Sequence, residues 1–133
     1  MTAPYVFSTR STKQLETCHK DLQTLFHTVL KTIDCTILNG FRNKNSQLLA
    51  YQEGRSKVVW PDSNHNKSPS LAVDVVPYPI DWMDTRRFCL FAGFVLATAE
   101  SLGVSIRWGG DWNKDWNVKD NIFNDLLHYE VCE

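Results

Sequence analysis

An aspartate in the middle of an apolar, β-prone run is the feature that most restricts this chain. Leu71, Ala72, Val73, Asp74, Val75 and Val76 follow one another, and Pro77 and Pro79 frame what comes next. Side chains alternate across a strand, so Asp74 shares its face with Ala72 and Val76. A bare carboxylate among such neighbours carries a large desolvation cost unless something neutralises it. No Lys or Arg occurs between Lys67 and Arg86, so a basic partner has to come from elsewhere in the fold. Three readings stay open at this point: an arginine salt bridge, surface exposure of that face, or a metal ion.

The remaining elements bound the fold. Ser11-Thr12-Lys13-Gln14 has the form of a capping box. Apolar residues then recur at Leu15, Cys18, Leu22, Leu25, Phe26, Val29, Leu30 and Ile33, steps of three and four that predict one long amphipathic helix. Residues 35–38 are β-prone and end at Asn39-Gly40, a turn signal. A short helix is expected over 46–53, stopped by Gly54, and a strand over 57–60, cut by Pro61. Asp84 can cap a helix over 85–102 that closes at Gly103, and strands are expected over 104–108 and 126–131. Helices and strands mix without strict βαβ alternation. That predicts an α+β fold, a small mostly antiparallel sheet packed against helices.

Composition narrows the partners. With 133 residues and 43% hydrophobic, the chain suffices for one domain and is short for two. Fourteen basic against 15 acidic residues lack the basic excess that gives affinity for nucleic acid or anionic membrane. The most apolar run, 88–99, is shorter than the about 20 residues that cross a bilayer, so it reads as a core helix. The start, Met1-Thr2-Ala3-Pro4-Tyr5, has no basic patch followed by an apolar run, and no secretory signal is expected. Four cysteines without C-x-x-C spacing exclude a zinc finger and read as free thiols, buried at Cys18, Cys35 and Cys89.

Two histidines carry the chemistry. His65 lies in a polar loop nine residues before Asp74, and His128 lies in the last strand beside two leucines. Singly, each is as ordinary as a satisfied core histidine. Together, two imidazoles and one carboxylate form a standard three-ligand set for catalytic zinc, with the fourth position open. Asp125, three residues before His128, then gains a purpose as a base; its plainer reading is a turn cap.

The pattern Ser63-x-His65, Ala72-x-Asp74 and Asp125-x-x-His128 resembles the zinc D-alanyl-D-alanine peptidase (Hedgehog/DD-peptidase) superfamily. Within it, the chain is similar to small phage endolysins that act as L-alanyl-D-glutamate peptidases. The resemblance takes in Gly40-Phe41-Arg42 with Gln47 five residues on, residues 75–82, residues 91–96, and Ile106 to Trp112. Ser70 replaces a glycine common in the family, and residues 66–69 lengthen the loop between His65 and Asp74.

The resemblance implies zinc on His65, Asp74 and His128, Asp125 as general base, and Arg42 as the cation that stabilises charge on the attacked carbonyl. It implies peptidoglycan as substrate. Ser63 and Gln47 match family positions, Ser63 as a loop-shaping or substrate-bonding residue rather than a nucleophile. Glu130 shares a strand face with His128 and reads either as its orienting partner or as a solvent-facing charge. Trp108, Trp112 and Trp116 crowd one polar loop with Asp111, Asp115 and Asp120. Trp108 reads as a core cap, Trp112 as a substrate wall, and the acids as a weak calcium reading that lacks EF-hand spacing. A monomeric single catalytic domain over 1–133, with no separate wall-binding domain, is expected. Without a leader, such a protein is made in the host cytoplasm, and the resemblance implies release to the wall and periplasm through a pore-forming holin. Two other functions stay open: a D-alanyl-D-alanine carboxypeptidase or dipeptidase, and a non-catalytic zinc-stabilised wall-binding module.

Overall fold

Helices α1 (Thr9–Glu16) and α2 (Lys20–Leu30) occupy the stretch whose apolar periodicity predicts one long helix. These and all further features come from a computed structural model of the chain, which describes residues 4–132. Met1, Thr2 and Ala3, which open the segment read for a leader, lie outside the described residues. The break falls at residues 17–19 because their backbone is engaged by Ser70. His19 N–H donates to the Ser70 carbonyl at 2.7 Å, and Ser70 N–H donates to the Thr17 carbonyl at 2.9 Å. His19 then restarts the helix by accepting Asp21 N–H on its ring. Leu15, Cys18 and Leu22 stay buried across the break, so the periodicity continues in phase and hides it. The N-cap is Ser8 rather than Ser11. Ser11 instead lies inside α1, where its hydroxyl accepts Ile37 N–H at 3.1 Å and ties the helix to the sheet.

Strand β1 (Cys35–Asn39) is followed by α3 (Lys44–Gln52), capped by Asn43. The strand expected over 57–60 does not form: Val58 and Val59 are exposed and no strand pairs with them. Their β-branched side chains suggested a strand, but burial was missing. A short 3-10 turn (Asn64–Asn66) leads to β2 (Ala72–Pro77). Helix α4 (Thr85–Leu102) has the expected bounds: Asp84 accepts Arg87 N–H, and Gly103 ends it in the left-handed conformation. Strands β3 (Ile106–Gly109) and β4 (Asp125–Val131) complete the chain's sheet, with a long loop between them.

The sheet order is β1-β2-β4-β3 and all three pairings are antiparallel. Its inner face presents Ile37, Val73, Val75 and Tyr129 to Phe26 and Val29 of α2 and to Phe91 and Val95 of α4. Tyr129 meets Phe26 edge-on at 5.4 Å, a geometry worth about 0.5–1.5 kcal/mol beyond burial. The opposite, outer face carries Asp74 of β2 and His128 and Glu130 of β4, with the buried Ala72 and Val76 on either side of Asp74. Cys18 and Cys35 are buried, and burial pushes each thiol up to about 12, so both are inert. Cys89 is half-buried rather than buried. Among the described residues no helix is long and apolar enough to cross a membrane.

Candidate functional site

Strand pairing builds the centre of the site. Across the outer face, Asn39 of β1 stands opposite Asp74 of β2, and Asp74 stands opposite His128 of β4. One strand further, Arg107 of β3 faces Glu130 of β4. His65 reaches the same place from the 3-10 turn, with its ring 5.1 Å from that of His128. The lengthened loop before Asp74 does not keep the candidate ligands apart. His65 Nε2 lies 3.2 Å and His128 Nδ1 3.3 Å from the same oxygen, Asp74 Oδ1. These three donor atoms lie within 4.8 Å of one another on three buried residues, a group that can hold a metal ion.

The other ring nitrogen of each histidine is engaged. His65 Nδ1 donates to the Gly40 carbonyl at 2.7 Å, which turns Nε2 toward Asp74. His128 Nε2 bonds Glu130 Oε1 at 2.7 Å, which leaves Nδ1 toward Asp74. Gly40 is glycine for a steric reason: a Cβ there would run into the Gln14 carbonyl and the Thr17 hydroxyl at the end of α1. Its own N–H is held by Gln14 Oε1 at 3.0 Å.

Asp74 meets the arginine reading, and its other oxygen belongs to the group that can hold a metal ion. Oδ1 faces the histidines, while Oδ2 accepts Asn39 Nδ2 at 3.1 Å and lies 3.7 Å from Arg42 Nη2. Burial pushes this carboxyl up, but His65 and His128 outweigh it and hold it well below the usual carboxylate range. Burial pushes His128 down, yet its bonds to Asp74 and Glu130 raise it to about 9 in the metal-free protein. Glu130 is also penalised by burial, but His128 and Arg107 bring it down to about 2. Arg107 donates to Glu130 Oε2 from both Nε at 2.8 Å and Nη2 at 2.7 Å, which leaves Oε1 to His128.

The other candidate residues surround this centre. Asp125 Oδ2 stands 3.9 Å from His128 Nδ1, and burial, then the charge of Asp74, pushes its carboxyl up. Asp125, Arg42, Ser63 and Trp112 line one cleft of about 290 Å³ with His65 and His128. Trp112 packs 5.4 Å from the His128 ring, anchored by its indole N–H on the Phe123 carbonyl. Ser63 caps the 3-10 turn, its hydroxyl accepting His65 N–H at 3.1 Å. Gln47 does not reach the cleft. It is fully buried, and its amide joins Arg42, Asn66, Ser56 and the Val58 carbonyl. Its contact with Arg42 Nη1 at 3.1 Å makes it a support for that side chain.

The tryptophans part company: Trp108 is buried, Trp112 lines the cleft, and Trp116 is 72% exposed. Asp111, Asp115 and Asp120 also converge within 4.8 Å, an oxygen-only group that can hold a cation. Both oxygens of Asp111 already accept backbone N–H groups, from Asp115 and Trp116, so the cluster shapes this loop. Sequence reasoning missed Asn39 and Arg107. Asn39 reads as half of an Asn-Gly turn, and Arg107 acquires its role only from a strand register that no local pattern encodes.

Comparison with known proteins agrees with this geometry. The sequence profile of the family described as phage L-alanyl-D-glutamate peptidase matches residues 3–132. The L-alanyl-D-glutamate peptidase of Escherichia phage T5 is 28% identical over 123 residues, covering 89% of each chain. The solved structure of the L-Ala D-Glu endopeptidase ChiX of Serratia marcescens shares the fold, with a TM-score of 0.73 at 24% identity. That match covers 97% of this chain and 92% of the other. On this breadth of match, the chain belongs to the phage L-alanyl-D-glutamate peptidase family.

Proposed function

We propose that this chain is an endolysin-type zinc peptidase that hydrolyses the L-alanyl–D-glutamate amide in the peptide stems of peptidoglycan. The observation that carries the reading is the convergence of His65 Nε2, Asp74 Oδ1 and His128 Nδ1 in a cleft that also holds Asp125 and Arg42, in a chain of this family. Two imidazole nitrogens and one carboxylate oxygen suit zinc, and the rear nitrogens fixed by Gly40 and Glu130 keep the donor atoms aimed inward. Zinc held there supplies a Lewis acid and lowers the pKa of water to roughly 7.

The chain's own residues do the rest. Asp125, raised by burial, accepts the proton of the attacking water and passes it to the leaving amine of glutamate. Arg42 lines the cleft, is braced by Gln47 and Asp74, and has a buried Nε without a partner among the described residues. It stabilises the charge that develops on the carbonyl oxygen, a contribution typically of about 10²–10³-fold. Trp112 shields His128 from solvent and offers a flat wall to substrate. Release to the wall through a holin follows from the same reading.

Digestion of purified peptidoglycan by zinc-loaded protein, followed by mass spectrometry, tests the bond. New amino-terminal glutamate is expected; released D-alanine would assign the carboxypeptidase alternative instead. Asp125→Ala is expected to keep fold and zinc while losing about 10²–10⁴-fold in activity. Full zinc occupancy and wall binding without any released peptide in the unaltered protein would establish a non-catalytic module.

A further inference from the structure

The cleft contains four basic side chains, and three are committed. Arg42 is tied to Asp74 and Gln47, Arg107 to Glu130, and Arg55 to Glu53 at 2.7 Å. Lys57 is different. Among the described residues no carboxylate lies within 4.0 Å of its ammonium, although Asp62 and Asp125 line the same cleft. Its Nζ instead sits 5.0 Å from the centre of the Phe123 ring. That cation–π contact reaches across the cleft from the segment after α3 to the segment before β4. Phe123 and Asp125 both line the cleft, two residues apart in the chain, so the contact sets the free charge against the segment that carries Asp125.

The proposed reaction gives this position a meaning. Asp125 hands its proton to the amine of the departing glutamate, so that residue lies on the Asp125 side. A glutamate joined through its amine has two carboxyl groups, and one suffices to carry the next amide of the stem. The second is therefore a free carboxylate, or a carboxamide where the wall is amidated. We propose that Lys57 recognises this free carboxylate and makes the acidic form of the stem the preferred substrate over its carboxamide. The inference rests on the L-alanyl–D-glutamate reading and adds to it the charge state that the cleft selects. An ammonium against a carboxylate at a partly open site discriminates modestly, and the discrimination weakens as salt screens the pair.

The experiment uses two synthetic stem peptides that differ only in that group, carboxylate against carboxamide, with zinc-loaded protein. The ratio of kcat/KM values is expected to favour the carboxylate by roughly five- to tenfold at low salt. In Lys57→Gln the ratio is expected to fall close to one, with the loss mostly in KM, and Lys57→Arg should restore it. Zinc content of each variant shows that the metal centre is intact. A ratio near one in the unaltered protein, or an unchanged ratio in Lys57→Gln, overturns the assignment of Lys57 while leaving the bond assignment in place. Failure to cut either peptide overturns the bond assignment, and this inference with it.

Discussion

The two faces of strands β2 and β4 are built on opposite principles, although they alternate residue by residue. Inward, Val73, Val75 and Tyr129 meet hydrocarbon from α2 and α4, and their placement depends on volume. Outward, Asp74, His128 and Glu130 meet one another, Asn39, His65, Arg42 and Arg107, and their placement depends on each donor finding an acceptor. On the outer face Asp74, His128 and Glu130 stay buried because each has a charged partner. The inner face leaves the Tyr129 hydroxyl buried and unpartnered among the described residues. The outer network leaves one donor over as well, the buried Nε of Arg42, but that one lines the cleft, whereas the Tyr129 hydroxyl is enclosed by the core.

Breaking the outer network has the larger consequence. Glu130→Gln keeps the shape but removes the charge that His128 and Arg107 share, and metal affinity is expected to fall about 10- to 100-fold by competition titration. Unchanged affinity would mean that Glu130 serves only Arg107. The charge balance also has a pH signature. In metal-free protein, His128 is raised from 6.5 to about 9, so its contribution to stability is complete below pH 6.5 and lost as pH rises through about 9. Glu130 is lowered from 4.5 to about 2, so its contribution is present above pH 4.5 and lost as pH falls toward 2. Zinc binding requires a neutral His128, so added zinc should stabilise increasingly across pH 6.5–9, where the metal-free protein weakens. Thermal melts with and without zinc across that window should therefore diverge, and parallel curves would refute the assignment of His128 to the metal. On the inner face the smallest effect is expected: Tyr129→Phe removes the orphan hydroxyl and should raise stability by up to about 1 kcal/mol, leaving zinc affinity unaltered.

The same contrast explains what was legible in the sequence. Asp74 stands out because a carboxylate between valines violates the local pattern, and His65, Asp125 and His128 share the motif. Helix α4 is legible because Asp84, the apolar run and Gly103 state its start, body and end locally. The break between α1 and α2 is not, because it is imposed by Ser70, some 50 residues away, on a periodicity that never falters. The roles of Asn39, Arg107 and Gln47 are equally hidden, since each depends on a partner set by register or folding rather than by spacing. Where a residue's purpose is local, one strand of letters suffices. Where it answers a distant neighbour, the letters are ordinary.

Gly40 shows how far that reach extends. Its carbonyl fixes His65, and it sits against the end of α1, whose Gln14 and Thr17 side chains bond the backbone of residues 40 and 41. The first helix carries none of the three donor residues and no part of the recognisable motif, yet it is the abutment on which one side of the candidate metal site bears. A minimal lytic fragment cut to begin where the motif begins would retain all three donor residues and lose the masonry behind one of them.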